Sequence, residues 1–319
     1  MSKLVLIDGN AILHRAYHAL PKTLTNSKGE LTNAVYGFTS MLLRIIEDLQ
    51  PTHIAICFDR KEPTFRKKLD KNYQAHRPKM DDELSSQFPK ARKLAEAMDI
   101  AVYDKAGYEA DDLIGTLAKQ ATESKRAREQ ESRSKKQRKT STLIGEVVIV
   151  TGDRDILQLV NEKVKVYLPT KGLSEAELLG IEGVKEKLGV LPEHVDDYKA
   201  LVGDSSDNYK GVPGVGPKTA LKLLDKYKDL DGVYKNISKI DHNLAEKLME
   251  GEKSARMSYT LAQIVKDVKI DFSLKKAADW SLDNKKTEEM FAELSFRTLA
   301  KRAKKLSSKM EENMQESLF

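Results

Sequence analysis

Apolar residues follow two rhythms along this chain, and the rhythms alternate. Lys3–Ile7 and His53–Phe58 are short aliphatic runs that predict buried strands, as do Ile100–Tyr103, Glu146–Val150 and Val164–Leu168. Between them, apolar residues recur every three or four positions. In Ala34–Leu49 they are Val35, Phe38, Leu42, Ile45, Ile46 and Leu49, a helix that Pro51 stops. Thr64–Tyr73, Leu84–Met98 and Glu109–Ala121 predict further helices. A polar, irregular stretch with Pro78 spans Gln74–Glu83. From Glu175 onward the pattern is mainly helical. The last helix is expected from about Thr287 to Lys305, before a short polar tail.

Strands alternating with helices predict an α/β fold, a mostly parallel sheet flanked by helices. Such sheets bind ligands beyond the carboxyl ends of their strands. Three predicted strands end in an acid, at Asp8, Asp59 and Asp153. Val202–Ala220 joins two further signals. Asp204 and Asp207 are three apart, so a helical turn would point both carboxylates one way. Gly214 and Gly216 then let the backbone approach a ligand, and Pro217 suits a first helical position. The free N–H groups there, with Lys218, suit a phosphate.

Charged residues make up 33% of the 319 and aromatics 6%, which suits a helix-rich protein with one large domain or two. No apolar run approaches membrane-spanning length, and Leu4–Ile7 is too short for a signal-peptide core. Cys57 is the single cysteine, so no internal disulfide can form, and a cytoplasmic location is expected. The formal charge of +6 points to nucleic acid only until it is divided. Ser124–Lys139 carries eight basic and two acidic residues, which leaves 47 of each sign elsewhere. The body is neutral, and DNA contacts must come from local patches. The low-complexity segment Ser124–Thr142 reads as a disordered insert.

Asp8, Asp59, Glu109, Asp111, Asp112, Asp153, Asp155, Asp204 and Asp207 lie at strand ends or at the openings of the next elements. One such acid is an ordinary helix cap. Several along one sheet edge repel one another unless cations neutralise them. Oxygen donors suit Mg²⁺, with Mn²⁺ as a substitute, and the six histidines show no zinc spacing. His14 and His18 are four apart but lack an evident third ligand. Carboxylate sites with two Mg²⁺ ions suit phosphodiester hydrolysis, in which the ions generate hydroxide, clamp the phosphate and stabilise the leaving oxygen.

Five motifs, Leu6-Ile7-Asp8-Gly9-Asn10, Phe58-Asp59, Tyr108-Glu109-Ala110-Asp111-Asp112, Val150-Thr151-Gly152-Asp153-Arg154-Asp155 and Gly203-Asp204-Ser205-Ser206-Asp207-Asn208, resemble those of the bacterial 5′ nuclease family. This is the 5′–3′ exonuclease and flap endonuclease domain at the start of DNA polymerase I. The resemblance runs from about Lys3 to Leu299. It implies a PIN-like core at 1–170 with a helical arch at about 64–98, then a helical DNA-binding region at 171–306 with a helix-three-turn-helix at about 198–228. It implies two Mg²⁺ ions held by the same nine acids, and a K⁺ held by backbone carbonyls around Val212–Val215. It places Arg66, Tyr73, Arg77 and Lys79 on the strand that passes the arch, and Gly214, Gly216 and Lys218 on the duplex. The implied substrates are branched or nicked DNA with a 5′ single strand and RNA–DNA primer ends, cut to leave a 5′-phosphate. A monomer without a membrane segment is expected.

Three departures qualify the resemblance. The family usually has Tyr-Lys where this chain has Tyr73-Gln74, so Lys79 or another flexible base is expected to compensate in part. The basic insert is a candidate nonspecific phosphate-binding loop. No polymerase segment follows, so the expectation is a nuclease that stands alone or was cut from a longer chain. The tail at 307–319 ends Gln315-Glu316-Ser317-Leu318-Phe319 and resembles the peptide by which bacterial replication proteins bind the sliding clamp. Leu318 and Phe319 would fill a groove and Gln315 would make polar contacts, which suggests a natural terminus. Two other readings are a noncatalytic DNA-junction binder tethered to the clamp, and a PIN-type ribonuclease. The full acid set argues against the first and the Asp204–Ala220 segment against the second.

Overall fold

A computed structural model describes residues 2–132, 144–171 and 175–316, without the side chains of 124–132, 171 and 313–316. β1 (Ser2–Asp8) leads into α1 (Gly9–Ala19), α2 (Asn33–Leu49), β2 (His53–Cys57), α3 (Phe65–Leu69), α4 (Asp82–Ser85) and α5 (Phe88–Ala97). Then come β3 (Ala101–Tyr103), α6 (Ala110–Ser132), β4 (Ile144–Val150), β5 (Val164–Lys171) and β6 (Glu175–Leu179). Helices follow: α7 (Ile181–Leu188), α8 (Val195–Val202), α9 (Pro217–Tyr227), α10 (Leu230–Lys235), α11 (His242–Ala262), α12 (Leu274–Ala278), α13 (Lys285–Glu293) and α14 (Arg297–Glu316).

The sheet order is β3-β2-β1-β4-β5-β6, parallel throughout except for β6. Side chains alternate across it. Leu4, Leu6, Cys57, Val147 and Ile149 share one core with α6, α8 and α11, while Val5, Ile7, Ile56, Val148 and Val150 share the other with α1, α2, α5 and α14. The chain winds outward from β1 in both directions, so the crevice where the order reverses lies at the carboxyl ends of β1, β2 and β4. Register brings those ends level: Asp8 pairs Cys57, and Ile7 pairs both Ile56 and Val150.

Several segments differ from expectation. Glu175–Leu179 is a strand antiparallel to β5, and only Leu179 in it is buried, so no apolar alternation marks it. The final helix is two, broken at Ser295 with φ 62°, and α14 continues to Glu316 through most of the expected tail. The expected arch at 64–98 holds three separate helices, α3, α4 and α5, with 70–81 non-helical and Pro89 in the first turn of α5. α6 runs through the first part of the basic insert to Ser132; residues 133–142 lie outside the described residues. α1, absent from the expected elements, starts where the Asp8 carboxylate accepts from the Ala11 N–H at 2.9 Å.

α8, the loop at 203–216 and α9 occupy the stretch where a helix-three-turn-helix was expected. Asp204 and Tyr209 pair as a small antiparallel bridge. Beside it the chain crosses itself. A Cβ on Gly203 (φ 77°) would sit 2.5 Å from the Gly211 nitrogen, and one on Gly211 would sit 2.2 Å from the Leu201 carbonyl oxygen. Only glycine fits at either position. Pro217 takes the first turn of α9, as expected.

Candidate active site

The strand-end acids meet in one pocket of about 660 Å³, lined by Asp8, Asp59, Glu109, Asp111, Asp153, Asp155 and Asp207 and by arch residues 73, 74 and 77. β1 delivers Asp8, whose carboxylate also accepts from Thr151 Oγ1 at 2.8 Å. Asp59 follows β2 and accepts from the Ala110 N–H at 2.7 Å, which ties it to the start of α6. Asp153 follows β4 and accepts from the Asp155 N–H at 2.8 Å. Burial pushes the carboxyls of Asp8 and Glu109 up to about 7, and their acidic neighbours add to it at both. Asp59, Asp111 and Asp153 are raised for the same first reason, with repulsion from other acids of the cluster also acting on each. Such a set fits a hard cation, whose charge would remove both penalties. Among the described residues, no three acidic, imidazole or thiol groups already enclose one ion position. The carboxylates line the walls, and basic side chains hold several of them aside.

Two of the nine expected ligands divide in role. Asp111 and Asp112 are adjacent on α6, so they point to different sides. Asp111 faces the pocket. Asp112 is fully buried and meets Arg66 through both guanidinium nitrogens at 2.8 Å, while also accepting from the Glu109 and Val265 N–H groups. Its acceptor positions are taken, so it is no ligand in this arrangement. Arg66 correspondingly departs from the expected phosphate contact. Its side chain is 3% exposed and also donates to the Leu261 and Gln263 carbonyls at the end of α11.

Lys199, on the last turn of α8, was not singled out from the sequence. Its ammonium lies between Asp155 and Asp204, 2.5 Å from the latter. Burial alone would raise the Asp204 carboxyl, but Lys199 and the Ser206 hydrogen bonds outweigh it and hold that group below the usual range. The available signal was spacing: Lys199 stands five residues before Asp204, one helical turn from the loop.

Asp207 is fastened to the arch. It accepts from the Tyr73 hydroxyl at 3.1 Å, the Gln74 amide at 3.0 Å and Arg77 at 2.6 Å. The Gln74 backbone N–H donates to the Asp207 carbonyl at 2.8 Å, and Asn208 donates to the Asn72 carbonyl at 2.8 Å. Tyr73 is buried rather than free to meet a strand, and its hydroxyl also reaches Glu109 at 3.2 Å.

Comparison with known proteins places this geometry. The description "5′-3′ exonuclease, N-terminal resolvase-like domain" matches residues 3–189, and "5′-3′ exonuclease, C-terminal SAM fold" matches 190–288. The chain belongs to the 5′–3′ exonuclease family. DNA polymerase I of Bacillus subtilis (strain 168) is 40% identical over 312 residues, covering 98% of this chain and 33% of the relative. That of Mycobacterium leprae (strain TN) is 39% identical over 300 residues, covering 94% and 31%. The chain thus spans about a third of these curated relatives. In fold it is similar to a bacteriophage T5 flap endonuclease in complex with DNA and metal ions (TM-score 0.62, 17% identity, 97% of this chain and 99% of that one). It is also similar to flap endonuclease-1 from Methanococcus jannaschii (0.57, 18%, 98% and 94%). The PIN-like expectation holds.

Against the family pattern, the Gln74 amide points at Asp207. Lys79 is 89% exposed and pairs with Asp82 at 3.6 Å, outside the residues that line the pocket, so the cation nearest the acids on the arch is Arg77. Gly214, Gly216 and Lys218 are exposed around the start of α9. The Lys247 side chain lies over Gly214, close enough that a Cβ there would meet its Cδ at 3.4 Å. This second lysine at the turn comes from α11 and was missed because it is 33 positions away in sequence. The side chains of Gln315, Leu318 and Phe319 lie outside the described residues.

Proposed function

We propose that this chain is a structure-specific 5′ nuclease that hydrolyses phosphodiesters at single-strand/duplex junctions, as a 5′–3′ exonuclease and 5′-flap endonuclease. One observation carries the reading: acids from three strand ends, α6 and the loop before α9 share one pocket beneath the arch. Asp8, Asp59, Asp111 and Asp153 would hold divalent ions, Mg²⁺ or Mn²⁺, with Glu109, Asp155, Asp204 and Asp207 completing the set. Bound there, the ions supply an activated water and charge neutralisation at the phosphate. The remaining work belongs to the chain. Arg77 stands over the acids and offers a guanidinium to a phosphate oxygen. The α9 start, with Lys218 and Lys247, holds the duplex backbone, and the Asp204–Tyr209 bridge fixes its distance from the acids.

The proposed substrates are flapped or nicked DNA and RNA–DNA primer ends, in replication and repair. K⁺ at the carbonyls of Val212–Val215, the nucleoid as location and the Gln315–Phe319 peptide as a sliding-clamp ligand belong to the same proposal. A 5′-flap DNA incubated with Mg²⁺ should be cut near the junction, and Asp153→Ala should lose the activity while still binding DNA. Binding without Mg²⁺-dependent cleavage by the unmutated protein would favour the noncatalytic junction binder.

A further inference from the structure

Thr151 follows the last residue of β4 and is wholly buried, directly after the aliphatic run Val147–Val150. A hydroxyl placed there needs a partner. Buried hydroxyls elsewhere in the protein find one on the main chain: Thr32, Thr39, Thr116, Ser258 and Thr287 each donate to a backbone carbonyl. Among the described buried serines and threonines, only Thr151 donates to a carboxylate, that of Asp8, at 2.8 Å.

The same oxygen serves a second acid. Thr151 Oγ1 accepts from the Asp153 N–H at 3.0 Å, while its single proton goes to Asp8 Oδ2. The Ala11 N–H takes the other Asp8 oxygen at 2.9 Å, and the Asp155 N–H holds Asp153 Oδ1 at 2.8 Å. One run of hydrogen bonds thus crosses from the end of β4 to the end of β1 and fixes two acids that line the pocket. Register makes it possible. Ile7 pairs Val150, so the next residues, Asp8 and Thr151, leave the sheet side by side. Each Asp8 oxygen keeps a second lone pair for the pocket.

We propose that Thr151 is a positioning residue for phosphodiester hydrolysis, its hydroxyl holding the Asp8 carboxylate in a set place relative to Asp153. The inference rests on the proposed nuclease reading, in which both acids act on the phosphate. A valine at this position fills nearly the same space but supplies neither the proton nor the acceptor. Asp8 is then held from one side only, by Ala11, and turns independently of Asp153. The ladders of β4 with β1 and β5 use the backbone of residues up to Val150 and stay intact. The loss therefore falls on turnover, and the grip on DNA, which belongs to the start of α9 and the arch, is kept.

Thr151→Val and Thr151→Ser test this in the full chain. Cleavage of a 5′-flap DNA with Mg²⁺ is measured below the lowest melting temperature that the variants show in EDTA, and DNA affinity is measured in EDTA. Thr151→Val is expected to lower kcat about ten- to hundred-fold, with KM and DNA affinity within about two-fold of the parent. Thr151→Ser keeps the hydroxyl and should recover most of kcat. The gain in melting temperature on adding Mn²⁺ should shrink in Thr151→Val and persist in Thr151→Ser. If Thr151→Val does not fold, Thr151→Ala takes its place in the same comparison. Turnover by the hydroxyl-free variant within about two-fold of the parent overturns the proposal. So does a serine variant as slow as the valine one, or a loss confined to KM and DNA affinity, either of which marks a packing role. If the unmutated protein cuts no flap, the nuclease reading itself fails and this inference falls with it, an outcome that the parent protein reveals without any variant.

Discussion

Asp112→Asn removes one negative charge where no water can replace it. Asp112 is fully buried, and its partner Arg66 is 3% exposed. Two 2.8 Å bonds join them, and the guanidinium keeps only the Leu261 and Gln263 carbonyls and an edge of Glu109 once the charge is gone. Breaking a buried pair from one side costs about 3–5 kcal/mol, because the remaining charge is left uncompensated. For a protein of this size that lowers melting by roughly 4–8 °C. Asp111→Asn, one residue earlier, does the opposite. It removes a desolvated carboxylate repelled by Asp153, Asp8 and Asp59, so the metal-free protein melts at the same temperature or higher. Thermal melts of both variants in EDTA, then with Mn²⁺, separate the roles. Asp112→Asn should keep the temperature gain on adding Mn²⁺ and Asp111→Asn should lose most of it. A stable Asp112→Asn protein with no Mn²⁺ response would refute the division between the two acids.

Asp8 and Glu109 are raised to about 7, so folding favours their protonated forms. Their contribution to stability is present below about pH 4 and lost as pH rises through about 7. Melting in EDTA should therefore fall between pH 5.5 and 8, and Mn²⁺ should restore it at pH 8; a metal-insensitive profile counts against the cluster. Lys199→Gln removes the cation between Asp155 and Asp204, so the metal-free protein should melt lower and gain more from Mn²⁺ than the parent. Equal gains would show that Lys199 does not compete for those acids. Asp207→Ala removes the acceptor of three arch side chains, so trypsin should cut at Lys71 or Lys79 about ten-fold faster or more. Unchanged cleavage would mean that other contacts hold the arch.

Periodicity and strand-end chemistry were enough to find the parallel sheet, the pocket edge and most acids around it. Strand residues alternate between two buried faces, and an acid after such a run has few places to go but the carboxyl edge. The start of α9 was legible for a similar reason: Pro217 suits a first helical turn, whereas the helix-three-turn-helix around it came from the family resemblance. β6 was not legible, because hydrogen bonds to β5 and no apolar pattern hold it. The break at Ser295 was missed because a single left-handed residue interrupts an otherwise continuous helical pattern.

The partnerships inside the site were beyond the sequence. Adjacent acids Asp111 and Asp112 read alike, and only packing against α11 made one a pocket wall and the other the counterion of Arg66. Lys199 and Lys247 reach the site and the turn from other helices. Gln74 reads as a lost lysine, yet its amide and backbone anchor the arch to Asp207. Sequence determined which groups line the carboxyl edge, because local periodicity puts them there. Tertiary structure decided which charges face each other, because that depends on contacts between segments 40 to 200 residues apart.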